Sequence, residues 1–127
     1  MKTDIETNYT IAVGLAPVSV AAGTDAGATI DHKLGPCAAV VFNLGAFASG
    51  ATITCKLQYS DDDSTWTDDD ASSGNDAAVK STATGITTLN VPNPLGRYTR
   101  GYATVTTDAV VFGVVNIVGP LKHVAAE

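Results

Sequence analysis

The sequence has little positive charge: 7 of its 127 residues are Lys or Arg, against 13 Asp and Glu. The net charge is therefore −6 at neutral pH, with histidine counted as neutral. Binding to a nucleic-acid backbone needs clustered cations that neutralise phosphates, and binding to anionic lipid has the same requirement. The composition argues against both kinds of partner, so we expect neither nucleic acid nor a membrane as a ligand.

Long apolar segments are also missing. The longest apolar run, residues 109–118, is interrupted by a glycine and an asparagine and is far shorter than the ~20 residues of a membrane-spanning helix. Residues 1–14 contain no basic region followed by an apolar run, so the sequence predicts no signal peptide. Proteins that are not exported rarely form disulfides, and we therefore expect Cys37 and Cys55 to be buried free thiols.

Large aromatic and flexible apolar side chains are scarce, with one Trp, one Met and three Phe. Val and Thr are abundant instead; both are restricted at the first side-chain torsion and favour strands. The 12 Gly and 5 Pro supply turns, and no helical period of ten or more residues is present. About eight short strands separated by turn residues predict an all-β fold, a single-domain antiparallel β-sandwich of Ig-like or jelly-roll-like type.

The clearest strand signal lies in residues 51–60, where apolar and polar side chains alternate. This period is typical of a strand with one buried and one solvated face. The predicted buried positions are Ile53, Cys55, Leu57 and Tyr59. Residues 60–65 then form a short acidic turn, and a return strand is expected to bring Trp66 over the core.

Three further segments shape the predicted fold. Residues 37–44 are almost continuously apolar, which predicts a central strand covered on both faces, by a second sheet or by a neighbouring subunit. Residues 11–22 contain Pro17, which cannot donate to a β-ladder, and so predict an edge strand or two short strands. The cluster of turn residues at 23–27 predicts a turn.

Two candidate contact residues lie outside the predicted strands. We expect residues 1–10 to form a flexible N-terminal arm that carries Tyr9, residues 11–120 to form the sandwich, and residues 121–127 to form a C-terminal tail. Phe47 falls in a predicted loop at residues 45–50. It would either plug the end of the core or contact a partner.

The most informative candidate site lies on the predicted strand at residues 97–106, which pairs with a Val-rich strand at residues 109–118. Alternation places Tyr98, Arg100 and Tyr102 on one face of this strand. Two tyrosines beside an arginine are typical of the hot spots of protein interfaces. The same side chains could stack on sugars, or form an ordinary exposed face stabilised by cross-strand pairs.

Seven of the 13 acidic residues lie between Asp61 and Asp76. A calcium loop of the EF-hand type needs glycine at its sixth position and glutamate at its twelfth, but these positions, counted from Asp61, hold Trp66 and Ser72. The segment therefore favours a solvated loop, with weak cation binding as the alternative. No His, Cys or carboxylate set has the spacing of a metal site or of a catalytic site, and we predict neither a cofactor nor an enzyme.

The segment LQYSDDDSTWTD, residues 57–68, resembles a hairpin that recurs in small β-sandwich proteins of tailed bacteriophages. The Arg/Tyr strand and the Val-rich strand near the end of the chain are similar to the corresponding part of the same proteins. The resemblance covers roughly residues 37–118. Asp63 departs from it, because the turn of the hairpin usually has glycine at this position.

The resemblance implies a capsid decoration, or cement, protein, which is a non-enzymatic component of the virion surface made in the host cytoplasm. Its partner would be the major capsid protein, and many copies would bridge neighbouring shell subunits. A homo-oligomer is also implied, with a trimer at a three-fold position of the lattice favoured. A tail or head-fibre subunit and a carbohydrate-binding module are the alternatives.

Overall fold

The computed structural model describes residues 10–33, 35, 37–71 and 74–119. These residues form ten strands and no helix. The strands are β1 (Thr10–Val20), β2 (Gly23–Ala26), β3 (Ile30–Asp31), β4 (Cys37–Phe47), β5 (Thr52–Ser60), β6 (Thr67–Asp68), β7 (Val79–Ser81), β8 (Gly85–Val91), β9 (Tyr98–Thr106) and β10 (Val110–Gly119). The predicted β-sandwich is confirmed, with ten strands in place of about eight.

The strands form two antiparallel sheets. The four-stranded sheet has the order β1-β10-β4-β8, and the six-stranded sheet has the order β2-β9-β5-β6, with β3 also paired to β9 and β7 also paired to β5. β1 is an edge strand, as Pro17 predicts, and its register with β10 shifts twice between Val13 and Val18. The interior strands are therefore β10 and β4 in the four-stranded sheet and β9 and β5 in the six-stranded sheet. Short strands complete the edges of the six-stranded sheet.

The core lies between the two sheets. The largest side chains that are fully buried come from both sheets: Val40, Phe42, Leu44, Leu89, Phe112 and Val114 from the four-stranded sheet, and Ile53, Cys55, Leu57 and Val105 from the six-stranded sheet. Alternate residues of β9 are buried, as are Ile53, Cys55 and Leu57 of β5, as the period of the sequence predicts. Tyr59, which the same period predicts to be buried, is only half-buried, whereas its polar neighbours Gln58 and Ser60 are buried. The sheets approach closely at Gly101 of β9, where an added Cβ would lie 2.7 Å from Val40 Cγ1.

Two strand predictions are wrong. Residues 23–27 do not form only a turn, because Gly23–Ala26 is β2 and pairs with β9 from Val105 to Tyr102. The residues have the composition of a turn, but hydrogen bonding to the backbone groups of β9 draws them into the sheet, and an edge strand needs little side-chain packing. The predicted pairing of the strand at residues 97–106 with the strand at residues 109–118 is also wrong, because β9 and β10 belong to different sheets. β4 is an interior strand of its sheet, as predicted, and its outward residues Ala39 and Val41 are half-buried. Cover of that outer side by a neighbouring subunit stays a prediction.

Residues in the left-handed region of backbone space lie in the hairpin turn between β5 and β6 and in the connection between β9 and β10, which crosses from one sheet to the other. Asp63 has φ of +60° and Thr107 has φ of +78°. Glycine adopts such angles without a steric penalty, which explains why glycine suits the position of Asp63 in hairpins of this kind. The side chain of Asp63 partly compensates, because its Oδ1 accepts a hydrogen bond from Thr29 Oγ1 at 2.8 Å.

Both cysteines are free thiols, as predicted. Cys55 is buried in β5, and its burial raises the pKa of the thiol to about 12. Cys37 begins β4 in the other sheet and is only half-buried; its thiol donates to the carbonyl oxygen of Gly119 at 2.6 Å. The two residues lie in different sheets and each thiol has its own environment.

Candidate interaction surface

The predicted trio of Tyr98, Arg100 and Tyr102 lies together on the outer face of β9, as alternation requires. Each side chain is half-buried, and each residue lies opposite an outward residue of β5. The three cross-strand pairs are Tyr98 with Ser60, Arg100 with Gln58, and Tyr102 with Lys56. The outer surface of the six-stranded sheet is therefore built from two long neighbouring strands whose register is continuous.

Aromatic rings and cations alternate along this surface. The guanidinium carbon of Arg100 lies 4.3 Å from the centroid of the Trp66 ring and 5.5 Å from that of Tyr102. Lys56 Nζ lies 5.1 Å from the centroid of the same tyrosine ring. Each contact of this type contributes about 0.5–1 kcal/mol at an exposed site. We call the surface formed by Lys56, Gln58, Trp66, Tyr98, Arg100 and Tyr102 the aromatic–cationic face.

A hydrogen-bond network holds the middle of the aromatic–cationic face. Arg100 Nε donates to Gln58 Oε1 at 2.8 Å, and Gln58 Nε2 donates to Asp68 Oδ1 at 2.9 Å. Lys56 Nζ donates to the second oxygen of Asp68, also at 2.9 Å. The hydrogen bonds from Gln58 and then Lys56 lower the pKa of Asp68. Exposed ion pairs add little stability, so the network chiefly fixes the positions of Arg100 and Lys56.

The Tyr98 end of the face is fixed by a second ion pair. Arg97 lies with its guanidinium carbon 4.9 Å from the centroid of the Tyr98 ring. It donates to both oxygens of Asp31, at 3.2 and 3.0 Å. The hydrogen bonds from Arg97 and from the backbone N–H of Lys33 lower the pKa of Asp31 to about 2. The carboxylate therefore stays charged well into the acid range.

The prediction that Trp66 packs over the core is wrong. β6 pairs with β5 through Gln58 with Asp68 and Tyr59 with Thr67. Gln58 points outward and successive residues of a strand alternate, so Trp66, two positions before Asp68, also lies on the outer side. The ring stacks on Arg100 there. The number of residues in the turn at 61–65 determines on which side of the sheet each residue of the return strand lies. That number cannot be inferred from the composition of the turn.

The other two predicted contact residues have different outcomes. Phe47 is the last residue of β4 and not part of a loop; it is half-buried and packs against the hydrophobic core. That position agrees with the plug alternative, and a contact between Phe47 and a partner stays a prediction. Tyr9 lies outside the described residues, as do residues 1–9 of the predicted arm and the whole predicted tail at residues 121–127.

The acidic segment uses its carboxylates to bind its own backbone. Asp62 Oδ1 accepts hydrogen bonds from the N–H groups of Ser64 and Thr65 at 3.0 and 2.9 Å and from Ser60 Oγ at 2.9 Å. The bond from Thr65 contributes most to the lowered pKa of Asp62. Across the described ranges, no three or more His, Cys, Asp or Glu side chains come together in a way that could hold a metal ion.

No protein-family model matches this chain, and no curated protein sequence matches it. The part of the chain that the structure describes also contains no helix with the length and apolar character needed to cross a membrane.

His32 gives a pH-dependent stability that can be measured. Its ring is half-buried, with Nε2 2.6 Å from Thr99 Oγ1, and burial lowers its pKa below 6.5. The unfolded chain therefore binds the proton more tightly, and stability should fall as the pH drops below 6.5, by at most about 1.4 kcal/mol per pH unit for one proton. Urea unfolding between pH 7 and pH 5 should show a smaller decline in His32→Gln than in the wild type. Identical declines would contradict the assignment.

Proposed function

We propose that this protein is a non-enzymatic virion component of a tailed bacteriophage, a capsid decoration protein that binds the major capsid protein. The observation that carries the proposal is the aromatic–cationic face. Trp, Tyr and Arg are the residues most enriched in the hot spots of protein interfaces, and here they lie in one flat, hydrogen-bonded array. The hairpin that brings Trp66 into this array is the segment that resembles the phage proteins.

The mechanism of such a protein is passive. A preformed face binds with little loss of side-chain entropy, because the Asp68 network already holds Arg100 and Lys56 in place. Each copy would stabilise the assembled shell by binding only to it. Linked copies that bridge neighbouring shell subunits would add avidity without new contacts. The resemblance favours a trimer at a three-fold position, and the acidic turn at residues 61–65 would face solvent.

A double substitution on the aromatic–cationic face tests the proposal. Tyr98→Ala with Tyr102→Ala should weaken binding to particles that lack the protein by at least about 30-fold, since loss of a hot-spot residue costs about 2 kcal/mol or more. Both tyrosines lie outside the core, so the variant should stay folded. Binding is measured by cosedimentation of the purified variant with the particles.

Thr104→Ala is the matched control for this experiment. Thr104 lies outward on the same strand, two positions beyond Tyr102, and carries no ring or charge. Its loss should leave particle binding unchanged. If the double tyrosine variant bound as tightly as Thr104→Ala, the placement of the capsid contact on this face would be wrong.

Carbohydrate binding is the second candidate function, and the position of Trp66 favours it. The rings of Trp66 and Tyr102 lie on the outer side of a flat sheet, where aromatic side chains can stack on sugar rings. A glycan array separates the two functions. Binding that is lost in Trp66→Ala, together with absence of the chain from purified particles, would favour the carbohydrate function over the capsid function.

A further inference from the structure

The four-stranded sheet is free of charge. Its strands β1, β4, β8 and β10 contain no Asp, Glu, Lys or Arg. Every charged residue in the described ranges lies in the six-stranded sheet or in a connecting segment. The two sheets of this sandwich therefore present outer surfaces of opposite character, one rich in cations and aromatic rings and the other neutral.

The neutral outer surface is also apolar and continuous. The backbone register places its residues in rows that cross the sheet. One row is Ile11, Ile117, Ala39 and Asn90, and the next is Val13, Val115, Val41 and Thr88. We call the six apolar residues of these rows, Ile11, Val13, Ala39, Val41, Val115 and Ile117, the apolar face. Ile11 and Val13 are 53% and 66% exposed, and Ile86 of the adjoining row is 72% exposed.

A solvated outer face of an antiparallel sheet normally carries polar side chains, whereas contiguous exposed apolar surface marks an interaction site. The partner of this face must lack charge, because a buried charge without a counterion is costly. The apolar face itself meets this condition, since the strands that form it contain no charged residue. It is also present on every copy of the chain at the same concentration.

The size of the surface suits a pair of copies. The whole outer side of the four-stranded sheet, which includes the apolar face, measures roughly 600 Å², from four strands spaced about 4.8 Å apart and about nine residues of about 3.3 Å each. Two such faces bury roughly 1,200 Å² together, at the lower end of the range for stable protein interfaces. Packing of sheet on sheet with an angle of about 30° is a standard arrangement that fills such an interface with interdigitated side chains.

The charge distribution also suits a pair. Two chains with a net charge of −6 repel each other, so a stable contact must keep their charges apart. Packing of one four-stranded sheet on another makes a stack of four sheets with both six-stranded sheets outermost. With about 10 Å between layers, the outer sheets are separated by roughly 30 Å, beyond the screening length of about 8 Å at physiological salt.

We propose that the apolar face is the interface between two copies of this chain, packed sheet against sheet about a two-fold axis. A two-fold axis brings the same patch from both copies together, which a flat, uncharged patch allows. The aromatic–cationic faces then lie on opposite outer sides of the pair. In the pair, both aromatic–cationic faces would be free to bind other proteins. This dimer differs from the trimer that the resemblance favours.

Sedimentation of the free, full-length protein at micromolar concentration tests the pair. The wild type should sediment as a dimer. Val41→Glu at the centre of the face and Val13→Glu at its exposed edge should each weaken the dimer, on the order of 100-fold, since a two-fold axis buries each new charge twice. Val13 is exposed in the single chain, so its variant should fold even where Val41→Glu does not.

Thr54→Glu is the matched control, because Thr54 lies outward at the middle of β5 in the opposite sheet. It should remain dimeric. A monomeric wild type, a trimer, or a dimer that both valine variants leave intact would each overturn the proposal. A wild-type monomer that becomes a dimer when residues 1–9 are deleted would show that the chain covers its own face. No particles are used, so a dimer that fails to bind capsids would contradict only the capsid function.

Discussion

Gly101→Val is expected to lower the free energy of unfolding by about 3 kcal/mol, near the upper end of the usual cost of overpacking a core. Gly101 points inward from β9, and a Cβ at this position would lie 2.7 Å from Val40 Cγ1 and 2.9 Å from Phe42 Cζ. Both neighbours are fully buried in the facing sheet and have no room to move. The two sheets would have to separate, which costs packing along the whole of β9.

Urea or guanidinium unfolding followed by fluorescence measures this change. Thr104→Val is the control, because it places the same residue, valine, on the outward side of the same strand, where it replaces another β-branched side chain of similar size. It should change stability by less than about 0.5 kcal/mol, as surface substitutions usually do. A similarly small effect of Gly101→Val would contradict the close approach of the sheets at this residue.

Trp66→Ala is expected to weaken particle binding strongly and to lower the folding stability of the protein only slightly. If the aromatic–cationic face binds the capsid, loss of the ring should weaken particle binding by about 30-fold or more, the cost of losing a hot-spot residue. The free energy of unfolding should fall by only about 1 kcal/mol, because the ring stacks on Arg100 outside the core. Cosedimentation with particles and chemical unfolding of the same preparation give the two quantities.

Trp66→Phe is the informative partner variant, since it keeps a ring over the guanidinium of Arg100. It should retain most of the binding that Trp66→Ala loses. A large loss of stability in Trp66→Ala without loss of binding would instead mean that Trp66 is structural. That result would agree with the sequence-based expectation of a core tryptophan and not with its observed position.

The faces of long strands are readable from the sequence, because alternation has a fixed period of two. Residues 52–57 and 98–106 therefore show the predicted alternation of burial, which breaks only at residues 58–60 at the end of β5. The period is lost wherever a turn of unknown length intervenes. Trp66 follows such a turn and belongs to a return strand of only two residues, so its face depends on pairing between Gln58 and Asp68 that no local pattern reports.

Short edge strands are the second kind of feature that the sequence does not reveal. Residues 23–26 have the composition of a turn, yet they pair with β9 because that strand has a free edge beside them. Phe47 shows the same dependence on neighbours. Gly45 precedes it and indicates a loop, but the partner strand β10 continues the ladder as far as Val110, opposite Phe47, and extends β4.

For the apolar run at residues 37–44, the sequence predicts more burial than the described residues of one chain provide. Its residues indicate a strand covered on both faces, and the fold covers only the inner one. Apolar character on the outer face of β4 continues onto β10 and β1, which places it in a sheet without charges. The described residues contain no further layer over this side, and the second copy of the chain proposed above would account for the pattern.

The copy number of the chain in density-purified virus particles from its source tests the proposed capsid function most directly. Quantitative mass spectrometry would give the ratio to the major capsid protein. We predict a high and fixed ratio that is the same in every preparation. A few copies per particle would instead indicate a tail, portal or fibre subunit. Complete absence from the particles would contradict the virion assignment.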